Sequence, residues 1–186
     1  MGREGGRPWH LQFSSDTPPR YGSTEEVAEA IAAALRESGL TVDVRPLREV
    51  RSLAEYGAVV LGAPLFMFHW HKDALGFLSR HREALATRPV AVLALGPVHD
   101  PYDEKEWQSS RDQFDKELAP FPWLAPVALE IFGGRYDPAS LRFPLSLFGG
   151  KVPASDIRDW AAICAWALAL PAKLGLALGS VDESKN

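Results

Sequence analysis

The sequence predicts an α/β domain built as a three-layer, doubly wound, five-stranded parallel sheet. Three observations carry that expectation. From residue 24 onward, helical patterns alternate with short apolar or β-branched runs, which is the signature of βαβ units. Two of the runs, Ala58-Val59-Val60-Leu61-Gly62 and Val90-Ala91-Val92-Leu93-Ala94-Leu95, are continuously apolar, as strands covered on both faces must be. The chain has 186 residues, the length of about one domain, so the units belong to a single sheet.

The elements follow in order along the chain. Residues 1–7 (MGREGGR) carry charge and glycine and lack the apolar run of about 7–15 residues that a secretory signal requires. Residues 1–8 are read as a flexible N-terminal extension, 9–174 as the domain and 175–186 as a C-terminal tail. Residues 9–13 form a rather polar first strand, with Leu11 and Phe13 as its core residues. Residues 24–38 place Val27, Ile31, Ala34 and Leu35 at helical spacing, with Glu25 and Glu26 in the first turn and Gly39 at the stop, so they form a helix. Residues 40–44 alternate as a strand, residues 46–55 make a short or irregular crossing, and 58–62 is a central strand. A helix over 72–85, with Leu75, Leu78 and Leu85 on one face, leads to a strand over 89–95. A helix over 106–118, a fifth strand over 125–132 and a closing helix over 155–170 complete the domain, the last with Trp160, Ile163, Ala167 and Leu170 on one face.

Composition narrows the function classes. Hydrophobic residues at 46% and charged residues at 24% match a soluble folded chain. With 20 Lys and Arg against 24 Asp and Glu, the net charge of −4 leaves no basic surplus for nucleic acid. Cys164 is the sole cysteine, so there is no internal disulfide and no multi-cysteine metal site, and the reducing cytoplasm suits the chain. Residues 161–179 are nearly uncharged, but Pro171 and Lys173 interrupt them. Their alanine-rich composition also falls short of a membrane span of about 20 residues, so a helix packed on the sheet is expected.

Right-handed crossovers gather ligands beyond the carboxyl ends of the strands, which selects the loops 17–24, 63–71 and 96–103. In the first, the segment Arg20-Tyr21-Gly22-Ser23-Thr24-Glu25-Glu26-Val27-Ala28 resembles the phosphate loop and first helix of the flavodoxin-like superfamily. In particular it resembles flavodoxin-domain proteins related to menaquinone-dependent protoporphyrinogen oxidase. The likeness continues through Tyr56-Gly57-Ala58-Val59-Val60-Leu61-Gly62-Ala63-Pro64, His69-Trp70-His71-Lys72, Phe77-Leu78, Arg80-His81, Phe132-Gly133-Gly134-Arg135-Tyr136-Asp137-Pro138 and Asp159-Trp160. It spans about residues 20–174. The resemblance implies a flavodoxin-like sheet ordered 2-1-3-4-5, binding one noncovalent FMN at the switch between the first and third strands.

Each loop suits a part of that cofactor and also has a simpler reading. A glycine turn into a helix offers free N–H groups and the positive end of the helix dipole to a phosphate. Gly22 allows close approach, Ser23 and Thr24 add hydroxyls, and Arg20, beside Tyr21, adds charge. The same residues equally serve as a helix cap. The second loop, Pro64 and then Leu65, Phe66, Met67, Phe68, His69, Trp70 and His71, suits a flat apolar ring with polar edges. It suits a packed loop or dimer patch as well. In the third loop Gly96, Pro97 and Val98 offer backbone, and His99 or Tyr102 can bond or stack on the other ring edge; ordinary turn chemistry accounts for the prolines too. The His69-x-His71 pair lacks a third ligand, so no metal site is expected, and His81 reads as a surface or capping residue.

Two departures from the family stand out. Pro18 and Pro19 replace small hydroxyl residues and remove backbone donors from the phosphate nest. Between Tyr136 and Pro153 the relatives have a longer, more basic insertion, whereas Leu141, Phe143, Leu145 and Leu147 alternate here. That apolar 139–148 segment reads as a flap, a quinone or aromatic-substrate contact, or a dimer surface. The leading functional expectation is an FMN-dependent oxidoreductase passing electrons between a reduced organic substrate or donor and a quinone-like or other acceptor. The alternatives are a flavodoxin-type electron carrier docking on a redox partner protein, and a degenerate module that no longer binds FMN and acts by interaction.

Overall fold

The structure, a computed structural model, describes residues 9–13, 23–66, 69–101, 103–137 and 153–175. Arg20, Tyr21 and Gly22, the Pro18-Pro19 pair, Met67, Phe68, Tyr102 and the 139–148 segment lie outside them. The elements are β1 (Trp9–Phe13), α1 (Ser23–Glu37), β2 (Val42–Pro46), a 3₁₀ turn (Leu47–Glu49), β3 (Ala58–Phe66) and β4 (His69–Trp70). They continue with α2 (Lys72–Arg80), α3 (Arg82–Ala86), β5 (Val90–Leu95), α4 (Glu104–Leu118), β6 (Ala128–Phe132), β7 (Arg135–Tyr136), β8 (Ser155–Asp156) and α5 (Trp160–Lys173).

The sheet runs β2-β1-β3-β5-β6 with parallel pairing throughout, and β4 joins it antiparallel to β3. The alternation of side chains along a strand sends the apolar run of β3 to both sides. Val60 packs with Val27, Ile31, Leu35, Ile163 and Leu170 on the α1/α5 face. Val59 and Leu61 pack with Phe77, Leu78, Leu85 and Phe114 on the α2/α4 face. Ala28 and Ala32 are wholly buried, small side chains at the spacing that lets α1 lie close to the sheet.

Several elements differ from the sequence reading, each for a local reason. The sheet has six strands and is mixed, because β3 continues to Phe66 and returns as β4, with the His71 N–H donating to the Pro64 carbonyl at 3.1 Å. The 72–85 helix divides at His81, whose φ of −106° and ψ of 21° leave the helical region. Helix α4 starts at Glu104 because the Asp103 carboxylate accepts the Lys105 N–H at 2.9 Å. The closing helix starts at Trp160, where Asp159 caps the Ala162 N–H at 2.9 Å, and residues 155–156 pair with β7 instead. Trp160 consequently lies 40% exposed rather than on the buried face with Ile163, Ala167 and Leu170.

Candidate functional site

The three loops that the sequence singles out meet the described structure at the first turn of α1 and at the carboxyl ends of β3 and β5. Ser23 opens α1, and the Thr24 side chain beside it is buried. The first turn also carries Glu25 and Glu26, which favour the helix through its dipole. At the end of β3, Pro64 and Leu65 are half-buried. A Cβ built on Gly96 would come within 3.1 Å of the Leu65 Cδ1, so the second and third loops meet at Gly96.

The third loop is stitched down on both sides. The Gly96 N–H donates to the Phe132 carbonyl at 3.0 Å and the Gly134 N–H to the Pro97 carbonyl at 2.7 Å. The Ser155 hydroxyl donates to the Val98 carbonyl. The Glu106 carboxylate accepts the Val98 N–H at 3.1 Å and the His99 N–H at 3.0 Å. Pro97 is buried while His99 is exposed at the rim. Sequence reasoning missed Glu106: Asp103 followed three residues later by Glu reads as a capping box, yet this carboxylate reaches the loop ahead of the helix. At Gly133 a Cβ would stand 2.2 Å from the Ile157 carbonyl oxygen, so only glycine fits where the chain passes between the loop and β8.

A second missed feature is an ion-pair cluster against the first turn of α1. The Arg158 side chain is 4% exposed. Its Nε and Nη2 donate to the two oxygens of Asp156 at 2.7 and 2.5 Å, and its Nη1 donates to Glu26 Oε2 at 2.5 Å and the Ser23 carbonyl at 3.5 Å. Arg135 lies 3.7 Å from the other Glu26 oxygen, and the Arg158 guanidinium sits over the Trp160 ring at 4.7 Å. The bonds from Arg158 hold the Asp156 carboxyl below its usual range, and the bond to Asp156 raises the arginine further. Asp156 and Arg158 pair because residues 155–156 form β8 instead of the helix that the sequence suggests over 155–170. Their meeting with Glu26 is not legible there.

The structure places Trp70 in the core rather than in the loop's exposed face. Trp70 is 1% exposed; its indole N–H donates to the Ala63 carbonyl at 3.1 Å, and its ring packs edge-on against Phe114 at 5.2 Å. It belongs to the α4-side core. His69 is exposed, with its Nδ1 2.8 Å from Glu117 Oε1 on α4. His71 caps α2 by accepting the Asp73 N–H at 3.3 Å. His81 is at a helix boundary but buried, not on the surface, and desolvation lowers its pKa from the ordinary 6.5. Among the described residues no group of three His, Cys, Asp or Glu is arranged to hold a metal ion.

The donor set fits the flavin expected from sequence. Half-buried Pro64, Leu65 and Val98 would offer it apolar walls and the α1 N-terminus would suit its phosphate dianion, while the missing Cβ of Gly96 makes room for Leu65 and Ile131 behind the loop. The loop N–H groups of Val98 and His99 are held by Glu106 and the Pro97 and Val98 carbonyls by Gly134 and Ser155, which leaves the exposed His99 ring as the polar group at the rim.

Comparisons with known proteins bear on the family and the fold. A model of the flavodoxin domain matches residues 17–144. The protoporphyrinogen IX dehydrogenase [quinone] of Escherichia coli (strain K12) is 24% identical over 160 residues, covering 80% of this chain and 88% of that protein. Oxidised flavodoxin 1 from Bacillus cereus superposes with a TM-score of 0.51 at 19% identity, covering 90% of this chain and 97% of that one. An oxidoreductase from Corynebacterium diphtheriae gives 0.52 at 13% identity, over 91% and 98% of the two chains. At such identities the structural likeness speaks to the fold.

Proposed function

The chain belongs to the flavodoxin domain family, and from that premise we propose an FMN-dependent oxidoreductase that passes electrons from a reduced organic donor to a quinone-like acceptor. FMN is the cofactor that membership in the family implies, and electron transfer is its chemistry. The observation that carries the finer reading is the similarity to a quinone-linked dehydrogenase across 80% of this chain. Read over the five long strands, the order β2-β1-β3-β5-β6 is 2-1-3-4-5, which supports a flavin at the β1/β3 switch.

In this reading Ser23 and Thr24, with Arg20, Tyr21 and Gly22 before them, hold the phosphate end. Pro64, Leu65, Phe66, Met67 and Phe68 flank one side of the ring. Gly96, Pro97, Val98, His99 and Tyr102 flank the other. When bound, FMN supplies the redox chemistry itself. The chain contributes orientation: with its amides held by Glu106 and its carbonyls by Gly134 and Ser155, the 96–99 loop is fixed before any ligand arrives. Residues 9–174 form the domain, flanked by 1–8 and 175–186. The single cysteine supports a cytoplasmic setting, and no helix among the described residues is long and apolar enough to cross a membrane.

The test is to photoreduce the FMN-loaded protein without oxygen and mix it with a soluble quinone. Rapid return of oxidised flavin with matching quinol formation is expected. A reduced protein that ignores quinone but reduces a one-electron protein acceptor contradicts the oxidoreductase reading in favour of a carrier.

A further inference from the structure

We propose that Arg158 is a positioning residue for the phosphate end of the cofactor: locked by Asp156, it neutralises Glu26 and fixes the first turn of α1. The inference rests on the FMN reading above and extends the site to a residue 135 positions away from Ser23.

The first turn of α1 faces two opposed demands. Carboxylates at a helix N-terminus stabilise the helix, and Glu25 and Glu26 both stand there. The same end must also receive a phosphate dianion, which an uncompensated carboxylate in that turn repels. The fold resolves this at Glu26. One of its oxygens accepts from Arg158 at 2.5 Å and the other lies 3.7 Å from Arg135.

Arg158 is suited to hold that position. Its side chain is 4% exposed, against 48% for Glu26 and 43% for Asp156, so the guanidinium is the interior member of the cluster. A fork of two bonds to Asp156, 2.7 and 2.5 Å long, fixes its plane, as bidentate pairing does. The Trp160 ring covers one face at 4.7 Å. The remaining nitrogen reaches both the Glu26 carboxylate and the Ser23 carbonyl, at the residue that opens α1. Burying a guanidinium is costly, and apolar packing closes a hairpin at least as well. A charge retained in that place and aimed at the helix start is accounted for by the electrostatics of the adjoining anion site.

Riboflavin, which is FMN without its phosphate, separates this role from simple hairpin closure. FMN and riboflavin are titrated in parallel against the full chain, R158M, R158K, E26Q and the double variant E26Q/R158M, with unfolding curves for each. R158M is expected to weaken FMN about tenfold while riboflavin affinity stays within about twofold. E26Q/R158M recovers most of that loss, and R158K keeps part of the wild-type affinity. E26Q alone, which removes charge without removing packing, tightens FMN about threefold and leaves riboflavin alone; it decides the matter if R158M does not fold. Equal weakening of both flavins, no recovery on removing Glu26, or weaker FMN binding by E26Q overturns the inference while the FMN reading stands. A folded wild-type chain that binds neither flavin overturns both.

Discussion

Trp70 offers a separation of core packing from flavin contact. Its side chain is 1% exposed, donates to the Ala63 carbonyl at 3.1 Å and packs edge-on against Phe114. Trp70→Phe keeps an aromatic ring but opens a void of about 40 Å³, which at about 24 cal/mol per Å³ costs about 1 kcal/mol. Removing the donor from the carbonyl adds about 1–1.5 kcal/mol, so the variant should lose about 2–2.5 kcal/mol. Trp70→Ala should lose about 3–5 kcal/mol. Urea unfolding followed by circular dichroism measures the stability, and FMN titration at the same temperature measures the site. Because the ring faces the α4 layer, FMN affinity should move by less than about threefold for Trp70→Phe. A tenfold loss of FMN affinity at unchanged stability would refute the core assignment and return Trp70 to the cofactor.

Further predictions concern the elements around the site. Gly133→Ala places a Cβ 2.2 Å from the Ile157 carbonyl oxygen; forcing the chain apart should cost about 2–4 kcal/mol, read as a lower thermal midpoint, and a melt indistinguishable from wild type would contradict the geometry. Glu106→Ala frees the Val98 and His99 N–H groups, so their hydrogen exchange should accelerate and FMN affinity should fall about tenfold; unchanged exchange at both amides would rule out the clamp. His81 titrates below 6.5 in the folded state because burial disfavours its charge. The unfolded chain therefore takes up the proton first: its stabilising contribution is complete above about pH 6.5 and is lost as pH falls from there toward the folded value. His81→Leu should flatten the stability curve between about pH 7 and 5, and equal slopes for the two proteins would count against the buried imidazole.

Much of the plan is legible in the sequence because burial on both faces leaves a pattern. The run Ala58–Leu61 and the six residues of β5 announce themselves by continuous apolarity, and α1 by its spacing and its stop at Gly39. The continuation of β3 through Pro64 to Phe66 is hidden, since proline and clustered aromatics read as loop. The split at His81 is hidden for a different reason: one non-helical residue barely shifts the spacing of Leu75, Leu78 and Leu85. Trp70 shows why an aromatic cluster is ambiguous, because a core and a flavin pocket demand the same residue types and only the partner, here Phe114, decides. Glu106 is out of reach because its partners are backbone groups, and Arg158 because Asp156 lies in a stretch that reads as helix and Glu26 lies far along the chain.

The most direct test of the account is a calorimetric titration of FMN into the purified, flavin-free full chain. One FMN per chain, bound more tightly than riboflavin, is the predicted result. A chain that is folded by circular dichroism yet shows no heat of binding with FMN would contradict the central claim.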